Sequence, residues 1–395
     1  MPISPARNAA FAALMAVERG AWSAEALAAK STHLDSRDAG LASDILFGTL
    51  RHRGELDALI ALLAHRTGPK LDPPVRIALE MAIYQLRFLD RIPAHAALND
   101  SVELVRRSGK ASAAALVNAV LRNYTRQNLE VPETASTPPW IYDRWVKNYG
   151  LKVAQSIAHA SLQPPERFIR VNPAQTPPEG AEPTEIPGGF VLQTGDPGPF
   201  RFQDLGSQAV VPLLDLQNGQ TFLDLCAAPG NKTAQALETP DLHAIACDIH
   251  LSRAHTLTVL GIPTIVLDAS QPLPFDRTFD RILVDAPCTG TGTLARNPEI
   301  KHRLKPADLK DLAARQTAIL RNALKALKPG GVLVYSTCSL EPEENLDVVV
   351  AVTAATGAKL LKKIHRLPGR ERGDGFFAAA LTLPAPDIIN RSAPC

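Results

Sequence analysis

The chain opens in helical rhythm. Ser4-Pro5 puts a capping serine before a proline at the first helical position, and Phe11, Leu14 and Met15 then recur at helical spacing. After Pro73-Pro74, Val75, Leu79, Ala82, Ile83 and Leu86 fall at i, i+4, i+7, i+8 and i+11, which predicts one buried stripe. Similar stripes run through residues 41–50, 56–63, 97–105 and 116–124, parted by breaks such as Thr67-Gly68-Pro69 and Ser108-Gly109-Lys110. None alternates with a period of two. Residues 1–130 are therefore expected to form an all-α bundle that folds alone.

The pattern changes near Val131. VPETASTPPW reads as a linker, a short helix is expected at Ile141–Tyr149, and a Pro/Gly-rich stretch runs from Pro164 to Pro199. Within it RFIRVNP and GGFVLQTG suggest short strands, so residues 131–202 are expected to be a small mixed connecting region. Residues 203–395 alternate strand and helix. Strands are predicted at Thr221–Leu225, His243–Cys247, Thr264–Leu267, Arg281–Val284, Gly331–Ser336 and Phe376–Thr382. Helices are predicted at Lys232–Leu237, Ser252–Leu260, Ala307–Leu327 and Glu343–Val352. That alternation predicts an α/β domain on a doubly wound parallel sheet.

Composition narrows the picture only in places. With 395 residues, 45% apolar and 21% charged, the chain has material for two or three domains with real cores. No apolar run is long enough to span a bilayer, and the N-terminus lacks the apolar core of a secretory signal. A cytoplasmic protein without a membrane partner is expected, read as a monomer. The five cysteines are scattered with no C-x-x-C pair, so no metal site is expected. A net charge of +2 says nothing about nucleic acid, which leaves only local basic clusters to consider.

The chemistry concentrates at predicted strand ends. FLDLCAAPGNKT places a small-residue turn, Cys226, Ala227, Ala228, Pro229, Gly230, Asn231 and Lys232, between a buried strand and a helix, where a ligand can approach the backbone. A phosphate-binding P-loop is excluded, because Asn231 precedes Lys232 and the required first glycine is absent. A Rossmann-like methyltransferase fits better. Asp248 follows about 20 residues past the turn, where a carboxylate holds ribose hydroxyls, and Asp268 ends the next strand, where it could accept from an adenine amine. Each alone is equally a solvated strand end; the set in register favours a nucleotide cleft. Two further strands end in VDAPCTGTG, with Asp285 and Cys288, and in YSTCSLEPEEN, with Cys338. A single cysteine is usually an inert small hydrophobe. Two at neighbouring strand ends should face one cleft. Cys226 belongs with the turn and Cys247 with a strand core, whereas Cys395 is only the last residue.

At these motifs the chain resembles the Sun (RsmB) family of bacterial ribosomal RNA cytosine-C5 methyltransferases. DLCAAPGNKT, DAPCTGTG, STCSLEPEEN, RNPEIKHRL, QDLGSQ and DGFFAA carry the likeness, and LASDILFGTLRHRGELD and IPAHAALNDSVELVRR resemble that family's NusB-like domain. The resemblance implies a NusB-like, RNA-binding bundle followed by a Rossmann-like class I methyltransferase domain that uses S-adenosyl-L-methionine. It implies 16S rRNA as substrate, at cytosine 967 in the family's usual description. Cys338 would be the nucleophile, Cys288 would assist elimination, and Asp285 would hold the base with help from Lys232. Two residues depart from the family pattern. Asn231 replaces glycine, with an expected change in backbone under the methionine moiety, and His302 replaces tryptophan at an expected RNA-facing contact.

Lys301, His302, Arg303 and Lys305 form one basic cluster, and Lys362, Lys363, Arg366, Arg370 and Arg372 another. Charge runs are usually solvated faces. Their closeness to the cysteine motifs favours phosphate contacts, with Lys301, Arg303 and Lys305 as candidates. Arg106, Arg107 and Lys110 divide evenly between a second patch and plain surface. Competing readings are a tRNA methyltransferase, a small-molecule or protein methyltransferase, and a non-catalytic RNA-binding scaffold. The paired cysteines argue against the last two.

Overall fold

The computed structural model describes residues 3–64 and 71–384; the break at Thr67-Gly68-Pro69 and Cys395 lie outside them. The chain divides into two compact units, residues 1–164 with 293–303, and residues 165–292 with 304–395.

The first unit is helical: α1 (Pro5–Glu18), α2 (Ser23–Ser31), α3 (Ser36–Ala64), α4 (Pro73–Phe88), α5 (Ala94–Arg107), α6 (Ala114–Tyr124), α7 (Pro139–Tyr149) and α8 (Leu151–Ala160). α1 starts at Pro5, as its fixed φ favours, but Ser4 makes no side-chain cap. Its amide instead donates to Asp100 Oδ2 at 3.3 Å, and Arg7 pairs with the same carboxylate at 2.8 Å.

One expectation changes at α4. Val75, Leu79, Ala82 and Ile83 are buried as predicted and Leu86 partly so, yet Ile77, Ala78, Glu80, Met81, Tyr84 and Gln85 are buried too. α4 packs against α1, α3, α5 and α6, so it is the centre of the bundle and not a one-sided surface helix. Burying Glu80 requires opposite charge. Arg53 and Arg76 supply it at 3.2 and 2.5 Å. Residues 131–138 are likewise no free linker. Ser136 and Thr137 are buried, and a Cβ on Gly54 of α3 would stand 2.0 Å from the Ala135 carbonyl oxygen, so glycine is what lets this segment lie on the helix.

The second unit begins with a four-stranded antiparallel sheet of short strands, β1 (Phe168–Arg170), β2 (Ala181–Pro183), β3 (Gly189–Leu192) and β4 (Arg201–Phe202), in the order β2-β3-β1-β4. The strand–helix part follows: α9 (Leu205–Gln208), β5 (Thr221–Asp224), α10 (Asn231–Ala236), β6 (His243–Asp248), α11 (Leu251–Leu257), β7 (Thr264–Val266) and β8 (Phe279–Asp285). At Thr293 the chain joins the helical unit, with α12 (Ile300–Arg303), and returns at Leu304. It ends with α13 (Pro306–Ala326), β9 (Leu327–Thr337), α14 (Leu346–Thr356), β10 (Lys359–Arg366) and β11 (Phe376–Thr382).

These strands form a seven-stranded sheet in the order β10-β11-β9-β8-β5-β6-β7. The five from β9 to β7 are parallel, and β11 and β10 add antiparallel to one side. Their buried apolar runs, such as Ile282-Leu283-Val284 and Leu333-Val334-Tyr335, suit a sheet covered on both faces. Strand order reverses between β5 and β8, so the crevice for a ligand opens beyond the carboxyl ends of these strands. β10 was read only as a basic cluster. It is an edge strand whose side chains are mostly exposed, so no apolar alternation marks it, and its lysines discourage pairing with another chain.

Candidate active site

Successive strands deliver carboxylates to one end of the sheet. β5 ends in Asp224, β6 in Asp248 and β8 in Asp285, and Asp268 lies two residues beyond β7. A cleft of about 310 Å³ opens there, lined among others by Cys226, Ala228, Asp248, Asp268, Asp285 and Arg315. The turn that shapes it departs from ordinary backbone at Gly230, whose φ is +102°, and a Cβ there would stand 3.0 Å from Leu257 Cδ2. Asn231 carries no unusual φ: it is the first residue of α10, and its side-chain Nδ2 donates to the Phe202 carbonyl at 3.0 Å. The backbone at Asn231 is that of an ordinary helix start.

Asp248 is almost fully buried. Its Oδ1 accepts from the His250 amide at 2.9 Å and pairs with Arg253 at 3.1 Å. Asp268 Oδ1 accepts from the Ser270 amide and hydroxyl, and those bonds hold its carboxyl below the usual range. Asp224 was missed. Thr233 donates to its Oδ2 at 2.7 Å, while Oδ1 is buried without a partner, and burial pushes the carboxyl up to about 7. Its signal was the register already used for Asp248 and Asp268, an acid ending the strand before the turn. Arg253 and Arg315 were missed as well, because helical arginines look like ordinary surface in a sequence.

Asp285 stands where β8 meets the cleft. Lys232 Nζ donates to its Oδ2 at 2.6 Å and Ser336 Oγ to its Oδ1 at 2.7 Å. Lys232 also sits 4.9 Å from the centre of the Phe376 ring. Three residues on lies Cys288, and its Sγ is 3.4 Å from Cys338 Sγ. The two thiols are partly exposed. The hydrogen bond with Cys338, and then burial, push the Cys288 thiol well up. Cys226 is raised by burial and three nearby carboxylates, and Cys247, wholly buried, is pushed up to about 12. The structure thus brings Lys232, Asp285, Cys288 and Cys338 together, keeps Cys226 on the cleft wall away from the sulfur pair, and buries Cys247 in the core.

The basic residues divide. Lys301 is buried, and its Nζ donates to the Arg51 carbonyl at 2.8 Å, so it presents no charge to a phosphate. Burial, then Arg51, draws its ammonium down to about 7. Arg303 donates to the carbonyls of Val17 and Ala21 at 2.8 and 2.5 Å, stabilising the C-terminal end of α1. The expected RNA contacts at Lys301 and Arg303 are therefore corrected: their sequence neighbours are basic, but their partners are helix carbonyls. The ring of His302 donates from Nε2 to the Leu50 carbonyl, and burial draws its imidazole down to about 3. Lys305, Lys362, Lys363 and Arg370 are exposed. Arg366 pairs with Glu185 and Arg372 with Glu166, and Glu103 lies between Arg106 and Arg107.

Comparison with known proteins now decides the family. The model of the 16S rRNA methyltransferase RsmB/F family matches residues 211–382, that of the NusB family residues 4–126, and an RsmF/B-like ferredoxin-like domain residues 137–181. The ribosomal RNA small subunit methyltransferase B of Shigella sonnei is 34% identical, over 94% of this chain and 97% of that protein. This chain belongs to the RsmB/F family. Its counterpart in Citrobacter koseri is 32% identical over the same shares. In structure, PH0851 resembles 97% of this chain at a TM-score of 0.80 and 22% identity, a likeness of fold. A methyltransferase homolog from Pyrococcus horikoshii covers 61% of this chain and 93% of its own, at a TM-score of 0.52 and 28% identity. As a member of the RsmB/F family the chain is an rRNA methyltransferase, with a NusB-like helical region and a Rossmann-like domain. Among its described residues no helix is long and apolar enough to cross a membrane.

Proposed function

We propose that this rRNA methyltransferase modifies carbon 5 of a cytosine, through a covalent bond between Cys338 and carbon 6 of the base. The observation that carries this reading is the pair of sulfurs, 3.4 Å apart, beside the Lys232–Asp285 pair. Carbon 5 is a poor nucleophile. When the Cys338 thiolate adds to C6, the ring electrons move to C5, the atom that the methyl group joins. The C5 proton must then pass to a base while the C5–H electrons restore the C5–C6 double bond and Cys338 leaves C6 as a thiolate. Cys288 is the residue at hand to promote that elimination. Asp285, steadied by Lys232 and Ser336, would hold the N3/N4 edge of the base. A base inside a duplex must first unstack, so an unpaired cytosine is the better substrate.

S-adenosyl-L-methionine supplies an electrophilic methyl group, and the cleft suits it. Asp248 offers a buried carboxylate for the ribose hydroxyls and Asp268 an acceptor for the adenine amine. Asp224 Oδ1, buried and unpartnered, is an acceptor for the ammonium. Cys226, Ala227, Ala228, Pro229, Gly230 and Asn231 would lie along the ligand, and Lys305 would meet a phosphate. The work would be done in the cytoplasm by a single copy of the chain.

The test is bisulfite sequencing of 16S rRNA from cells with and without the gene. One cytosine, position 967 by family likeness, should lose its protection in the deletion. Loss of protection in tRNA instead would move the substrate, and no change in any RNA would contradict the reading.

A further inference from the structure

Glu344 lies beyond β9, behind the two thiols, and no part of it reaches solvent. A buried carboxylate needs donors from the protein. Oε1 accepts from the Thr289 amide at 2.9 Å and from Gln316 Nε2 at 3.0 Å. Oε2 accepts from the hydroxyls of Thr289 and Ser339. The amide groups can only donate, and Ser339 Oγ already accepts from the Glu341 amide at 3.0 Å, which turns its proton toward Glu344. Four neutral donors converge on one carboxyl group.

The origin of those donors matters. Thr289 directly follows Cys288, and Ser339 directly follows Cys338. Gln316, on α13, also donates to the carbonyl of Pro287, on the other side of Cys288, at 2.9 Å. One side chain thus gathers the loops that carry both sulfurs. Smaller ties join the same loops: the Gly292 amide donates to the Cys338 carbonyl, and the Leu340 amide to Thr291 Oγ1, both at 2.9 Å.

We propose that Glu344 is the positioning residue that sets the separation of the Cys288 and Cys338 sulfurs for methyl transfer. The catalytic half of this rests on the reading of Cys338 and Cys288 given above. A glutamine of the same shape would set a donor against donors at one of its two atoms, so charge and shape are both used. The charge of Glu344 also adds to the forces that keep Cys288 protonated. A protonated Cys288 can donate to the Cys338 sulfur only while the two are held at this distance.

The test uses the full chain with Glu344→Gln and, as a milder cut in the same clamp, Thr289→Ala. The probe is phenylarsine oxide, whose arsenic bonds two thiols at once and releases water, so its capture of Cys288 with Cys338 reports their spacing without RNA. Glu344→Gln should slow that bridging at least tenfold and single-turnover methyl transfer by about a hundredfold, the scale of a small misplacement of reacting groups. Thr289→Ala should lie between it and the wild type. The dissociation constant for S-adenosylmethionine should not change, and neither thiol should react more slowly with iodoacetamide than in the wild type, so that slower bridging reports spacing and not a less reactive sulfur. Wild-type bridging in both variants overturns the proposal. So does slower bridging with undiminished methylation, or bridging lost together with cofactor binding, which is what a purely structural staple would give. Methylation retained by Cys338→Ala would be a failure of the earlier reading, whatever Glu344 does.

Discussion

Each carboxylate at the carboxyl end of the sheet has a different set of neighbours. Asp248 is buried on the cleft wall, and one of its oxygens is shared by Arg253 and the His250 amide. If Asp248 holds the ribose as proposed, replacing it with alanine should leave those hydroxyls without an acceptor, at a cost of about 1–3 kcal/mol. Calorimetric titration with S-adenosylmethionine should show that loss; an unchanged affinity would reduce Asp248 to a strand end. Lys301 makes a different prediction. Its ammonium is drawn down to about 7 in the folded chain from an ordinary value of 10.5. The unfolded chain therefore binds more protons between those values, and stability rises with pH across that window. Lys301→Met removes the titrating group. The variant's advantage in Tm should be largest near pH 7 and shrink toward pH 10. A parallel pair of curves would mean that Lys301 is solvated.

Elements were legible where their pattern has a physical cause that the sequence displays. The parallel strands are buried on both faces, so Phe222-Leu223 and Ile282-Leu283-Val284 stand out as apolar runs with an acid at the end. The two cysteines were legible because strand ends face one crevice, whatever packs around them. β10 was not, since an edge strand with exposed lysines resembles a solvated charge run. The segment 293–303 misled for a related reason. Its charges satisfy helix termini: Glu299 accepts from the Ser23 amide and hydroxyl at the start of α2, and Arg303 holds the end of α1. Nothing in a basic sequence tells a phosphate partner from a carbonyl one. Glu344 and Asp224 were passed over because burial, which gives a carboxylate its leverage, cannot be seen without the fold.

The helical unit is built from two stretches far apart in the chain, and we propose that the N-terminal bundle, expected to fold alone, draws part of its stability from residues 293–303. Residues 1–130 by themselves lack Glu299, Lys301 and Arg303, while residues 131–395 would expose those side chains without partners. Each fragment made alone should therefore be poorly folded by circular dichroism and thermal melting, and making both together should restore a cooperative transition. A fully stable 131–395 fragment with wild-type cofactor affinity would contradict this. The account of function depends most on one event, the bond between Cys338 and the base. Wild type, Cys338→Ala and Cys288→Ala are incubated with substrate RNA and S-adenosylmethionine and run on a denaturing gel. Cys288→Ala should attack and methylate but release slowly, giving a shifted, protease-sensitive RNA–protein band, and Cys338→Ala should give neither band nor methylation. The reverse pattern would exchange the two roles, and methylation by both variants with no band from either would contradict the covalent mechanism.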